Sequence, residues 1–284
     1  MSKVFSDLKT ARYGAPGHPE APFRVSRTHT RLTAAGHAPS LPPMTATAED
    51  VSLLHGAGHL ASIRTGAFLD ADTPAFPGQD EIALISLSGA LSAASSALEG
   101  SASFSLMRPP GHHAGKDRVA GFCYLNNLAL AAAWLQKKKP GLAIGIVDFD
   151  VHHGDGTQSL MLGRPGISFL SLHQFPLYPG TGGESAGNCV NVPLPAGTNG
   201  DQYLRAFEPA LDRILATKPD LLAVSAGFDA YKNDPIAGLK LDKAAFKRIG
   251  ALLAQTKRPR FAVLEGGYSE DLPLLVESFL DGFF

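Results

Sequence analysis

AIGIVDFDVHHGDG, residues Ala143 to Gly156, runs from an apolar, partly β-branched segment directly into three carboxylates and two imidazoles. The apolar part, Ala143 to Val147, reads as a buried strand, and the polar part as a site mounted on its end. In extended backbone, side chains two apart share a face, so Asp148, Asp150 and His152 project together while Val151 and His153 turn the other way. Two of those three could hold one ion. An EF-hand calcium loop starting at Asp148 would need Gly at its sixth position and Glu at its twelfth, where this chain has His153 and Ser159. A solvated acidic turn does not account for two histidines set against the end of a buried strand. A metal or catalytic role is therefore expected here.

Outward from this stretch, helical and apolar segments alternate. Helix is expected over Ile82 to Leu98, Leu125 to Lys138, Gln202 to Thr217 and Lys243 to Thr256, and strand over Ala102 to Met107, Ile167 to Leu172, Leu221 to Ser225 and Phe261 to Leu264. Near-continuous apolar strands separated by helices predict an α/β protein with a parallel sheet covered on both faces. Before residue 50 the chain is rich in Pro, Gly and Thr, and little regular structure is expected beyond a short helix over Arg24 to Ala35. Glu49 to Gly66 has helical apolar spacing, with His55 and His59 read as packed or surface residues, and Asp70 to Asp80 reads as a surface loop.

The 284 residues, 44% hydrophobic and 18% charged, suffice for one large α/β domain or two small ones. With no repeat and no linker in view, residues 1–284 are read as one domain. A formal net charge of −1 leaves no electrostatic footprint for nucleic acid or an anionic membrane. The cationic run Lys137 to Lys139 sits before Pro140-Gly141, where it suits a helix end. Two cysteines, Cys123 and Cys189, are too few for a disulfide framework and fit a reducing compartment. No apolar run is expected to reach membrane-spanning length, and MSKVFSDLKT lacks the apolar core of a signal peptide, so a soluble cytoplasmic protein is expected.

Each expected strand opens into residues that do chemistry: RPPGHHA (108–114), DFDVHHGDG (148–156), SLHQ (171–174), SAGFDA (225–230) and LEGGY (264–268). Ligands of open α/β sheets bind beyond the carboxyl ends of the strands, so five stretches converge on one crevice. Convergence carries more weight than any one motif. The glycine-rich GTGGESAG, Gly180 to Gly187, is set aside as a phosphate loop because NCVNVPLP follows and no helix opens there.

Together RPPGHHA, GFCYLNN (121–127), DFDVHHGDG, YPGTG (178–182), NVPLP, SAGFDA and LEGGY resemble the histone deacetylase family on its bacterial and class II side, over a span from HPEAPFRV at His18 to Tyr268. The resemblance implies the single-domain arginase/deacetylase fold, with helices on both faces of a parallel sheet, and zinc-dependent hydrolysis of an N-acyl amide on an alkyl amine. Arginase-type relatives use a two-manganese site around Asp-x-His-x-Asp, whereas this chain reads Asp-x-Asp-x-His at Asp148 to His152.

By the resemblance, Asp150, His152 and Asp229 hold the metal, leaving room for water and the substrate carbonyl. Zinc is implied, and the oxygen-rich donor set also suits Fe(II). His113 is implied as the general base and His112 as its electrostatic partner, with Asp148 and Asp155 fixing the two tautomers, and Tyr268 as donor to the oxyanion. A structural K+ is implied beneath the metal, held by Asp148, Ser171 and the backbone of Asp150, His152 and Leu172. Gly121, Phe122, Tyr178 and Ile236 match positions lining an acyl-lysine tunnel, with Cys123 packed under its wall. Pro22-Phe23 and Tyr231 depart from family habit near loops that set substrate choice.

A catalytically inactive acyl-lysine binding protein would be expected to have lost Tyr268, a metal ligand or one of the paired histidines, and all are present. A scaffolding role would predict exposed docking segments, which the sequence does not offer. The other alternative is an acetylpolyamine amidohydrolase. Ile236 falls where polyamine-directed relatives tend to carry an acidic gatekeeper, so acyl-lysine is expected to be favoured unless a carboxylate from the Asp70 to Asp80 loop reaches the rim.

Overall fold

A computed structural model describes residues 2–284. Within it, β1 (Lys3–Phe5), β2 (Ser103–Ser105), β3 (Ile144–Asp148), β4 (Ile167–Gln174), β5 (Cys189–Leu194), β6 (Leu221–Ala226) and β7 (Arg260–Leu264) form one sheet, every pair parallel, in the order β1-β2-β7-β6-β3-β4-β5. From β3 the chain winds outward through β4 and β5, then returns to β6 on the other side and winds away through β7. The reversal lies between β3 and β6, and a crevice opens at their carboxyl ends.

Alternation along each strand feeds two cores. Ile144 and Ile146 of β3, Leu221 and Ala223 of β6, and Phe261 and Val263 of β7 face one side, against α2 (Ala48–Val51), α3 (His59–Thr65), α4 (Gln79–Leu98), α5 (Asn127–Lys138) and α6 (Asp155–Met161). Val147, Leu222, Val224, Ala262 and Leu264 face the other, against α1 (Phe23–Ala34), α7 (Gly200–Leu215), α8 (Lys243–Gln255) and α9 (Leu272–Phe283). Burial on both faces is why these strands read as unbroken apolar runs.

Three expectations change, and one strand was not foreseen. The Glu49 to Gly66 segment is not one helix: α2 ends at Val51 and α3 begins at His59, because the intervening chain docks on residues 115–117, with Gly56 N–H donating to the Lys116 carbonyl at 3.0 Å. A Cβ at Gly56 would lie 1.9 Å from Asp117 Oδ1, so any larger residue there would have to displace the exposed Asp117 side chain. The N-terminal stretch contributes the edge strand β1, and NCVNVPLP forms the opposite edge, β5, where Pro193 is tolerated. Finally, α4 is long and apolar enough to cross a membrane, contrary to expectation, yet 67% of that span is buried inside the protein, which marks it as a core helix.

Candidate active site

The DFD and GFD stretches fold as they do because their phenylalanines go down and their aspartates go up. Phe149 and Phe228 are fully buried, 5.9 Å apart edge to face, and pack with Phe246 and Phe279. Anchored by these rings, Asp150 and Asp229 reach the crevice from β3 and β6, either side of the reversal in strand order. Asp150 Oδ2 accepts the Gly266 N–H at 2.7 Å, and Asp229 Oδ1 accepts the Val151 N–H at 2.9 Å. A Cβ at Gly266 would lie 2.0 Å from Asp229 Oδ2, so only glycine lets the backbone approach this closely.

One ligand atom from each of Asp150, His152 and Asp229 can be chosen within 4.8 Å of the others, all three residues buried. His152 Nδ1 lies 3.1 Å from Asp150 Oδ1 and 3.2 Å from Asp229 Oδ2, and Asp229 Oδ2 has no hydrogen-bond partner. Burial opposes a charge on His152, but the two carboxylates hold its pKa up at about 10. Asp148, Asp150, Asp229 and Glu265 are all 0% exposed, and among the described residues none forms a salt bridge to lysine or arginine. A buried acidic cluster of this kind calls for a cation, and an orphaned oxygen facing an imidazole and a second carboxylate fits a metal.

The tandem histidines lie beside this cluster, ring centroids 4.0 Å apart. His112 Nδ1 is 3.0 Å from Asp148 Oδ2, and His113 Nδ1 is 2.8 Å from Asp155 Oδ1. Arg118 donates to the other oxygen of Asp155. The environments drive the two rings apart. Burial opposes charge on His112, but Asp150 and then Asp148 raise its pKa well above the ordinary value. For His113, burial and then the charge of His112 lower it to about 3, outweighing Asp155. The surroundings thus favour charge on His112 and disfavour it on His113, the separation of roles that an acid–base pair uses.

Of these groups His113 lines a cavity of about 440 Å³, together with His152, Tyr268, Gly121, Phe122, Tyr178 and Ile236. Phe122 meets Tyr268 edge to face at 5.6 Å, and Tyr178 meets His113 likewise at 5.0 Å. Phe122 is left-handed, with φ of 70°, an unusual state for a non-glycine residue. Its N–H donates to Thr73 Oγ1 at 2.8 Å, and the neighbouring Gly121 N–H donates to Asp70 Oδ2 at 3.2 Å, so the 70–73 turn holds this wall in place. Cys123 is buried beneath it, its thiol pKa raised by that burial.

The implied monovalent-cation residues also meet: Asp148 and Ser171 are register partners on β3 and β4, with Leu172 buried next in line. Asp148 Oδ1 accepts the Asp150 N–H at 3.1 Å, and Ser171 Oγ lies 2.9 Å from His173 Nδ1. The GTGGESAG loop buttresses the site, since Thr181 Oγ1 is 2.7 Å from His153 Nδ1 and the Gly182 carbonyl is 3.0 Å from His173 Nε2. His55 and His59 are buried and stacked at 4.3 Å, bound to the carbonyls of Gly115 and Tyr124, so their packed reading stands.

A family model for the histone deacetylase domain matches residues 18–281. The chain belongs to the histone deacetylase family. Among curated relatives, a probable deacetylase of Archaeoglobus fulgidus is 38% identical, covering 94% of this chain and 80% of its own length. The acetylpolyamine amidohydrolase of Mycoplana ramosa is 33% identical over 99% of both. Among solved structures, the acetylpolyamine aminohydrolase of Burkholderia pseudomallei superposes with a TM-score of 0.93 at 26% identity, covering 100% of this chain and 98% of that one. The histone deacetylase fold thus spans the whole chain.

Several residues of this histone deacetylase-family site escaped the sequence reading. Asp72, an exposed acidic residue, lines the cavity with Ile236, which meets the condition the sequence reading attached to the Asp70 to Asp80 loop. His18 joins it, its Nε2–H donating to the Asp72 carbonyl at 3.0 Å while its Nδ1 accepts the Glu20 N–H. Glu265 accepts the N–H groups of Gly111 (2.6 Å) and His112 (3.1 Å), tying the histidine loop to the end of β7. Arg24 lies over the Tyr268 ring at 4.8 Å. A charged pair inside the otherwise apolar HPEAPFRV, and a glutamate between a buried strand and two glycines, were the signals available.

Proposed function

We propose that the chain is a metal-dependent deacylase acting on the N-acyl amide of an acyl-lysine side chain or a related small acylated alkyl amine. The observation that carries this is the meeting, at one cavity, of the Asp150–His152–Asp229 cluster with a neutral His113 and the phenol of Tyr268. Those three residues would hold a divalent metal, zinc by preference and Fe(II) by donor type, which would supply Lewis acidity toward the amide oxygen and activate a water at neutral pH.

The chain's own groups do the rest. His113 has Nδ1 committed to Asp155, so Nε2 is the atom that takes the water's proton and returns it to the leaving amine. His112, with its Nδ1 committed to Asp148, is placed to stabilise negative charge developing beside it. Burial raises the Tyr268 pKa well above 10, so its phenol stays protonated and donates to the oxyanion as the carbonyl becomes tetrahedral. The apolar walls formed by Phe122, Tyr178 and Ile236 suit an alkyl stem and exclude water from the reacting amide. A structural K+ would be held by Asp148, Ser171 and the backbone of Asp150, His152 and Leu172, where it would offset a buried carboxylate without a lysine or arginine partner.

A second reading, an acetylpolyamine amidohydrolase, is favoured by Asp72, an exposed acidic residue lining the cavity and so a candidate partner for a distal ammonium. Two relatives bear that activity in their names. Measuring kcat/KM for an acetyl-lysine peptide and for N-acetylputrescine, with zinc, Fe(II) and cobalt, tests both. Turnover of neither substrate with any metal would sink the deacylase reading, and a preference for N-acetylputrescine above about tenfold, lost in Asp72→Asn, would replace acyl-lysine by the polyamine.

A further inference from the structure

The Gly267–Tyr268 peptide is gripped at both ends. Arg24 Nε–H donates to its carbonyl at 2.7 Å, and its N–H donates to Asp234 Oδ2 at 2.8 Å. Gly267 has φ of 115°, a conformation with little intrinsic preference to hold the following ring in one direction. Orientation of the phenol must then come from outside the segment. Asp234 is only 8% exposed, has no lysine, arginine or histidine partner among the described residues, and its other oxygen accepts the Ile236 N–H at 3.1 Å. Burial and then the nearby Asp229 push its pKa up to about 7. A buried carboxylate that meets no cation and satisfies two backbone N–H groups is a costly feature, and what it does here is join two parts of the site 34 residues apart in sequence.

We infer that Asp234 is a positioning residue for catalysis: it fixes the peptide that aims the Tyr268 phenol and, through Ile236, locks that phenol to the facing wall of the substrate cavity. Ile236 and Tyr268 both line the cavity, so one carboxylate sets the register between the wall that seats the acyl amine and the donor that meets its oxyanion. Displacing a hydrogen-bond donor by a fraction of an ångström weakens transition-state binding more than ground-state binding. Asp234 therefore acts on kcat through Tyr268.

The inference rests on Tyr268 being the oxyanion donor, and a double-mutant cycle separates the two claims. In Asp234→Asn one acceptor remains and the new NH2 faces a backbone N–H. We expect kcat to fall about tenfold with KM changed less than about threefold. In the Tyr268→Phe background the same change should cost less than about twofold. Asp234→Glu, which keeps the charge but misplaces both acceptors, carries the same cycle should the Asn variant not fold. In protein stripped of metal by chelation, the peptide spanning residues 265–271 should exchange deuterium faster in the variant than in wild type. If Tyr268→Phe itself is fully active, the proposed function fails. If Tyr268→Phe is impaired, then wild-type kcat in the Asp234 variant, a loss fully additive with Tyr268→Phe, or unchanged deuterium uptake overturns the role of Asp234.

Discussion

Replacing Glu20 with Gln should cost the fold several kcal/mol although the residue touches no reacting atom. Glu20 is 3% exposed and neutralises two guanidiniums that are 0% exposed: Oε1 accepts from Arg24 at 2.6 Å and from Arg108 at 2.7 Å, while Oε2 accepts from Tyr13 at 2.7 Å and again from Arg108. Burial alone would raise its pKa, but Arg108 and Arg24 outweigh burial and hold it down at about 2, against an ordinary 4.5. Holding the pKa at about 2 against an ordinary 4.5 corresponds to about 3–4 kcal/mol, and breaking one partner of a buried pair typically costs ~3–5 kcal/mol, so the two routes agree. Because the folded pKa lies below the unfolded one, this stabilisation is full above pH 4.5 and is lost as pH falls toward 2. Urea unfolding of wild type and Glu20→Gln at matched metal loading should show a gap of about 3 kcal/mol at pH 7 that narrows as pH drops below about 4.5. A gap under about 1 kcal/mol at pH 7, or one that does not change in acid, would refute the argument.

His113→Ala and Tyr268→Phe should each lower kcat by about 100-fold or more while metal content measured by mass spectrometry stays at the wild-type level. Reconstituted protein should bind one transition ion per chain, and Asp229→Asn should abolish tight binding; two tightly held ions would contradict a mononuclear site. Thr73→Val, which removes the acceptor of the Phe122 N–H, should raise KM about three- to tenfold with a smaller change in kcat, read from steady-state kinetics.

The parts of the fold that were legible in the sequence are those whose burial leaves an unambiguous pattern. β3, β6 and β7 are buried on both faces and show as apolar runs of the right length. β5 does not, because it is an edge strand with a partly exposed face and a proline, and its ladder with β4 is what makes it a strand. The Glu49 to Gly66 stretch carries helical spacing throughout, yet a contact with residues 115–117, far off in sequence, decides its backbone at Gly56. Spacing reports what local structure permits, and a docking contact of that range leaves no periodic trace.

The same division runs through the site. Asp150, His152, Asp229, His112 and His113 stand where strands end, and the topology of a parallel sheet alone brings strand ends together, so their meeting followed from the alternation of elements. Glu265 and Asp234 have backbone N–H groups for partners, 154 and 34 residues away, and every residue but proline offers the same N–H. No residue type at the partner position signals such a bond. Asp72 belongs to a third kind: its loop is placed by Thr73 and Asp70 binding the backbone of Phe122 and Gly121, so the charge of the cavity mouth depends on a turn that also seats the wall. Substrate charge and wall position are thereby carried by one short segment, and a substitution at Asp72 that leaves Thr73 intact is the way to change the first without the second.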